Sequence, residues 1–116
     1  MSNYTIYHNP RCSKSRNTLA LLQEQGIEPD VVLYLETSPD AQEIRGLLGK
    51  LGISAAQLVR RGEEAYKECG LNSNSSEEEL IAAMASHPKL IERPIVVSGA
   101  RAVLGRPPEN VLELLD

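Results

Sequence analysis

Nine consecutive residues, His8-Asn9-Pro10-Arg11-Cys12-Ser13-Lys14-Ser15-Arg16, separate a short alternating apolar run, Tyr4 to Tyr7, from a helical pattern that begins near Asn17. An alternating run that passes into a 3.6-residue period calls for a strand, a turn and a helix. Cys12 then stands at or just before a helix N-terminus, where backbone N–H groups without partners and the positive end of the helix dipole favour an anion. A thiolate is such an anion. Arg11, Lys14 and Arg16 lie within four positions of it, and a protonated His8 would add further positive charge. The cysteine is therefore expected to ionise more readily than a free thiol. The alternative is a small buried cysteine in a capping turn, but three basic residues so close are hard to bury and easy to explain around an anion.

The helix runs through about Gln25 and stops at Gly26, with Ile27 placed for the apolar contact that accompanies a glycine C-cap. Val31-Val32-Leu33-Tyr34 is a continuous apolar run between polar segments, the pattern of a strand covered on both faces. Strand, helix and strand make a right-handed parallel unit. Ser38 with Pro39 then opens a helix whose Ile44, Leu47, Leu48 and Leu51 share one face before Gly52 stops it. Ser54 with Gln57 and Ser76 with Glu79 are capping boxes, the first for a short helix that carries Leu58-Val59 inward and ends at Arg60-Arg61, the second for a helix with Leu80, Ile81 and Met84 buried and His87-Pro88 at its end. Between them, Gly62 to Ser75 reads as loop with a helical turn around Glu64 to Lys67. Cys69 there lacks a basic neighbourhood like that of Cys12 and is taken as structural or incidental, Met84 as core filler and His87 as a helix-end residue. Ile95-Val96-Val97 and Ala102-Val103-Leu104 flank a glycine-containing turn as a hairpin, and Pro107-Pro108 begins a last helix that buries Val111, Leu112, Leu114 and Leu115.

A chain of 116 residues without Phe or Trp is expected to form a single domain over residues 1–116 with a core of Leu, Ile, Val and Ala. Its net charge of -4 gives no electrostatic reason to expect nucleic acid or an anionic membrane as partner. No stretch approaches the roughly 18 apolar residues of a membrane span and no charged-then-apolar leader opens the chain, so a cytoplasmic location is expected. The two cysteines lie far apart and form no C-x-x-C, which argues against a disulfide scaffold and a cysteine zinc site; no metal is expected.

Tyr7-His8-Asn9-Pro10-x-Cys12-x-x-Ser15-Arg16, Tyr34-Leu35-Glu36-Thr37, Arg60, Glu92-Arg93-Pro94-Ile95-Val96-Val97 and Arg106-Pro107 together resemble the arsenate reductase family that works with glutathione and glutaredoxin. The resemblance implies an α/β, thioredoxin-like fold: a four-stranded mixed sheet of order 2-1-3-4 with an inserted helical region. It implies Cys12 as nucleophile, Arg60, Arg93 and Arg106 as ligands of arsenate or a similar oxyanion, and His8, Asn9, Ser15, Arg16 and Pro94 in support. Arg61 stands beside Arg60, and the helix end could present either. In such a sheet the start of the third strand and the end of the fourth lie beside the end of the first, which brings Arg93 and Arg106 to Cys12. Arg93-Pro94 is expected to be cis, since a proline there must turn the chain beside the nucleophile. Guanidiniums suit a tetrahedral oxyanion because each offers a planar fork of donors and none deprotonates.

The implied activity is reduction of arsenate to arsenite by the Cys12 thiolate, with no tightly bound cofactor, glutathione as reducing co-substrate and glutaredoxin as partner. Ser13-Lys14 follow the cysteine where the best-known pattern has smaller or uncharged residues, and the chain ends at Asp116 while longer members continue. Two other functions suit the same fold: a general glutathione-linked thiol reductase, and a non-catalytic redox-sensing adaptor. Regulators of this fold that bind RNA polymerase often carry a second cysteine three residues on, where this chain has Ser15.

Overall fold

Ile6 is wholly buried between partly exposed neighbours in the strand β1 (Tyr4–Tyr7), the alternation that its sequence dictates. In the computed structural model, which describes residues 3–115, β1 pairs in parallel with β2 (Asp30–Val32) and antiparallel with β3 (Ile95–Ser98). β3 pairs antiparallel with β4 (Arg101–Leu104), so the order is β2-β1-β3-β4. Tyr7 stands opposite both Val32 and Ile95, and Ile95 opposite Leu104. These four residues make one row across the end of the sheet. His8, Pro94 and Gly105 are each the next residue beyond that row, so the cysteine turn and the segments carrying Arg93 and Arg106 share one sheet end. This is the thioredoxin-like α/β sheet that the resemblance implied.

Helix α1 (Ser13–Glu24) starts earlier than its apolar pattern suggests. Cys12 is itself the N-cap, in extended conformation, and its carbonyl accepts the first helical bond from the Arg16 N–H at 3.0 Å. The helix ends as expected: Gly26 takes φ 81°, a left-handed conformation that costs a glycine little, and the Ile27 N–H reaches back to the Leu22 carbonyl at 3.0 Å. Ile6, Leu22, Val96, Val111 and Leu114 form the core here, with Ile27 and Val103 packed on it.

Two expectations need correction in this part. The expected strand over 31–34 is instead Asp30–Val32, three residues at the edge of the sheet with Val31 46% exposed and β1 its one strand neighbour among the described residues, while Leu33 and Tyr34 lie beyond its end and Tyr34 is buried. The last helix is a 3-10 helix, Pro108–Leu115; consecutive prolines supply no N–H, and the Asn110 N–H closes the first turn on the Pro107 carbonyl three residues back. Val111 and Leu114 are buried, Leu112 is exposed, and the side chain of Leu115 lies outside the described residues. Arg101 donates to the carbonyls of Glu113 and Leu114, and the Tyr4 hydroxyl to that of Leu114 at 3.1 Å. The peptide bonds Arg93-Pro94 and Arg106-Pro107 are both cis; the first was expected and the second was not.

Between β2 and β3 the chain inserts a helical region. The two ends of the chain, to Thr37 and from Arg93, form one compact unit and Ser38–Glu92 another. The inserted unit comprises α2 (Ala41–Leu51), α3 (Ala55–Leu58), α4 (Glu64–Glu68), α5 (Glu77–Ser86) and a 3-10 turn, Pro88–Leu90. Asp40, rather than Ser38, caps α2: its carboxylate accepts from the Glu43 N–H at 2.8 Å, and Asp40 is the residue in extended conformation directly before the helix. Ile44, Leu47 and Leu48 are buried as expected, and Leu51 partly so. Both capping boxes are present. They set α3 and α5 so that Leu58, Ile81, Met84 and Leu90 are fully enclosed.

Leu22 is wholly enclosed under the sheet. Leu22→Ala should cost about 2–5 kcal/mol in urea unfolding, the range for truncating a buried leucine. An exposed replacement such as Gln23→Ala should stay within about 0.5 kcal/mol of the parent protein.

Candidate functional site

The cysteine turn is built from its own backbone. The Asn9 carbonyl accepts from the Cys12 N–H at 3.0 Å, and the Asn9 side-chain oxygen accepts from the Arg11 N–H at 3.0 Å. Arg16 reaches back across the turn to donate to the Pro10 carbonyl at 2.9 Å. Ser15 is fully buried, and its hydroxyl accepts from the Asn9 N–H at 3.0 Å and is hydrogen-bonded to His8 Nδ1 at 2.7 Å. The His8 N–H donates to the Val32 carbonyl, which ties the turn to β2. Asn9, Ser15 and Arg16 thus hydrogen-bond across the backbone of the turn that carries Cys12.

Burial of the partly enclosed Cys12 thiol pushes its pKa up. The opposing interactions win: the Ser15 N–H, the positive charge of Arg93, the Lys14 N–H and a hydrogen bond from the Arg93 side chain bring it below the usual thiol value. The expected direction holds, but three of the expected agents do not supply it. Arg11 and Lys14 are exposed to solvent, which screens their charges, and Lys14 acts through its backbone. His8 is held below its ordinary pKa, first by burial and then by the charge of Arg16, so at neutral pH it is an uncharged imidazole.

Arg93 is the cation that meets the sulfur. It stands before cis-Pro94 at the start of β3, with Nε and Nη1 shielded from solvent. Arg106 follows β4, and its Nη1 donates to the Arg93 carbonyl at 3.4 Å. The topology therefore brings Cys12, Arg93 and Arg106 together, with Pro94 buried beside them in the chain. Arg60 belongs to the inserted unit, at the end of α3, where its N–H donates to the Leu90 carbonyl at 2.7 Å. Its guanidinium lies 3.3 Å from Glu63 and 3.6 Å from Glu92. Arg61 is exposed and turns back toward the Ala56 carbonyl at 3.5 Å. Cys69 also lies in that unit, with its sulfur 3.5 Å from His87 Nδ1 at the end of α5.

Residues 7–114 match the model of the ArsC family. The chain belongs to the ArsC family. Among its relatives, an arsenate reductase of Neisseria meningitidis serogroup A is 47% identical over 117 residues, which is 99% of this chain and 100% of that one. An uncharacterised protein of Escherichia coli K12, YfgD, is 61% identical over 112 residues, 95% of this chain and 94% of that one. A solved arsenate reductase from Vibrio cholerae superposes with a TM-score of 0.91 at 57% identity, covering 95% of both chains. Among the described residues, no helix is long and apolar enough to cross a membrane and no group of three His, Cys, Asp or Glu side chains gathers as metal ligands.

Two buried residues beside these segments of the ArsC-family chain were not singled out by the sequence. Thr18 is completely buried, and its hydroxyl lies 2.8 Å from the Lys14 carbonyl and 3.1 Å from the Gly105 carbonyl. Gly105 is buried too, and its N–H donates to the Pro94 carbonyl at 2.9 Å. The signal available was a threonine one turn before Leu22 on the inward face of α1, and a glycine directly before an Arg-Pro pair.

The assignment of charges predicts a pattern of reactivity. In a Cys69→Ser background, iodoacetamide labelling of Cys12 should titrate below the roughly 8.5 of a free thiol. Arg93→Ala should raise the midpoint, because it removes a stabiliser of the thiolate, whereas Lys14→Ala and His8→Gln should move it little. A larger shift in Lys14→Ala than in Arg93→Ala would reverse the assignment.

Proposed function

We propose that this protein is an arsenate reductase in which Cys12 is the nucleophile and glutathione and glutaredoxin supply the electrons. The observation that carries the reading is the place of Cys12 as N-cap of α1, where the N–H groups of Ser15 and Lys14 and the side chain of Arg93 favour its thiolate. A site that stabilises one anion with backbone donors and a guanidinium has what a second, tetrahedral anion requires.

In the proposed reaction the Cys12 sulfur attacks arsenic, an As–S bond forms and one arsenate oxygen leaves as water after taking up protons. Glutathione then attacks this thiol-arsenate adduct, and glutaredoxin reduces the resulting mixed species to release arsenite. Arsenic gains two electrons, and two thiols, one of glutathione and one of glutaredoxin, lose them as a disulfide. Arg93 and Arg106 hold the oxyanion and offset its charge, speeding the step only to the extent that their interactions strengthen as charge develops. Arg60 is proposed as the third ligand on the family resemblance. Cys12 is used once per turnover and must be regenerated, which suits a compartment where glutathione keeps thiols reduced; the cytoplasm is proposed on that ground. The whole chain is proposed to act as one domain of this type.

Coupled to glutathione, glutaredoxin and glutathione reductase, the protein should show arsenate-dependent oxidation of NADPH. Cys12→Ser should abolish it, because a hydroxyl without an adjacent base is a far weaker nucleophile, while Cys69→Ser should retain most of it. Turnover of a glutathionylated peptide with none on arsenate would instead identify a general thiol reductase.

Single lysine replacements test the arginines separately. Arg93→Lys and Arg106→Lys should each raise the KM for arsenate by about tenfold, as loss of a planar fork costs on the order of one bidentate contact. The same effect in Arg61→Lys, with Arg60→Lys unchanged, would move the third ligand by one position.

A further inference from the structure

We infer that Thr18 and Gly105 are positioning residues that set the spacing between the Cys12 end of α1 and the segments carrying Arg93 and Arg106. The inference rests on the oxyanion role proposed above for those two arginines. Three separate stretches of chain supply that site, and they meet at Gly105. Its carbonyl lies 3.1 Å from the Thr18 hydroxyl of α1, its N–H donates to the Pro94 carbonyl at 2.9 Å, and Arg106 is the next residue. The Thr18 hydroxyl also lies 2.8 Å from the carbonyl of Lys14, whose own N–H faces the sulfur. One side chain therefore joins the first turn of α1 to the end of β4. Asn110 fixes the other side, donating to the carbonyls of Leu104 and Arg106 at 3.2 Å each.

The approach leaves no room for a Cβ at Gly105. A Cβ on Gly105 would lie 2.6 Å from Thr18 Oγ1, 2.8 Å from Thr18 Cγ2 and 2.9 Å from Pro94 Cγ, so something must move. None of these atoms ends a long, flexible side chain. Thr18 is β-branched, completely buried and restricted in χ1 by its helix, and the Pro94 ring is rigid. The displacement is therefore passed to the backbones, driving α1 away from the segments at 93–94 and 105–106. Those are the segments whose separation fixes where the sulfur stands against the two guanidiniums. Ordinary core packing predicts a loss of stability alone; positioning predicts a change at the sulfur and in oxyanion binding as well.

The test compares Gly105→Ala, Thr18→Val and Thr18→Ser in the full chain, with Cys69→Ser as background. Valine keeps the shape of threonine and loses the hydroxyl, while serine keeps the hydroxyl and loses the methyl. Gly105→Ala and Thr18→Val should raise the midpoint of iodoacetamide labelling at Cys12 and, through the displaced guanidiniums, raise the KM for arsenate about tenfold, the equivalent of about 1.4 kcal/mol of binding. Thr18→Ser should stay close to the parent in both. A lowered Tm with labelling midpoint and KM unchanged would overturn the inference and leave only a packing contact. Should Gly105→Ala fail to fold, the two Thr18 variants decide it. If the parent protein shows no arsenate turnover, the proposed substrate fails, and the labelling midpoints still judge the spacing by themselves.

Discussion

A sulfur that is partly buried resists ionisation, and the site depends on how the chain overcomes that resistance. Desolvation of the Cys12 thiol needs no particular geometry, while the donors that oppose it must be aimed. Two of them, the N–H groups of Lys14 and Ser15, exist because the helix begins at Ser13 with Cys12 as its N-cap. The third, Arg93, is in place because β3 runs antiparallel to β1, with Ile95 opposite Tyr7. A change of one residue in either register would remove a donor and leave the burial. Strand pairing and thiol chemistry are in this sense the same constraint.

How much of this could be read from the sequence follows from how local each cause is. The glycine stop at Gly26, the capping boxes at Ser54 and Ser76 and the two-residue hairpin turn after Ser98 are decided within a few residues, and each appears where the chain announces it. The edge position of β2 is not local: Val31-Val32-Leu33-Tyr34 reads the same whether or not another strand lies beyond it. Burial of a polar residue is equally invisible. His8 counts as a possible cation in a string of letters, and it loses that charge only once β2 and Ser15 enclose it. Thr18 and Gly105 are far apart in sequence, and neither has meaning until the sheet order puts them together. Arg60 and Arg61 show the remaining difficulty, since adjacent arginines are equivalent to any pattern. Within the inserted unit they are told apart by partners: Arg60 has Glu63 and Glu92, and Arg61 a carbonyl of its own helix.

The charge of the whole molecule, -4, would repel an anion, and the site works against that background through short-range geometry. Arg11, Lys14 and Arg16 crowd the cysteine in sequence but all remain exposed, and Arg16 serves as a strap over Pro10. Density of basic residues drew attention to this turn. Which of them matters was decided by distance and solvent, and the answer was an arginine from the far end of the chain.

The uncharged imidazole of His8 gives this turn one further property. A cationic neighbour would have made the sulfur and the ring titrate as a pair, each altering the other's readiness to ionise. With the ring neutral, the thiolate is held by backbone N–H groups and by Arg93, none of which takes part in a shared titration with an imidazole. Ionisation of the thiol and protonation of the ring are thereby pushed in the same direction, toward lower pH, so a pH change acts on the sulfur while the ring beside it stays neutral.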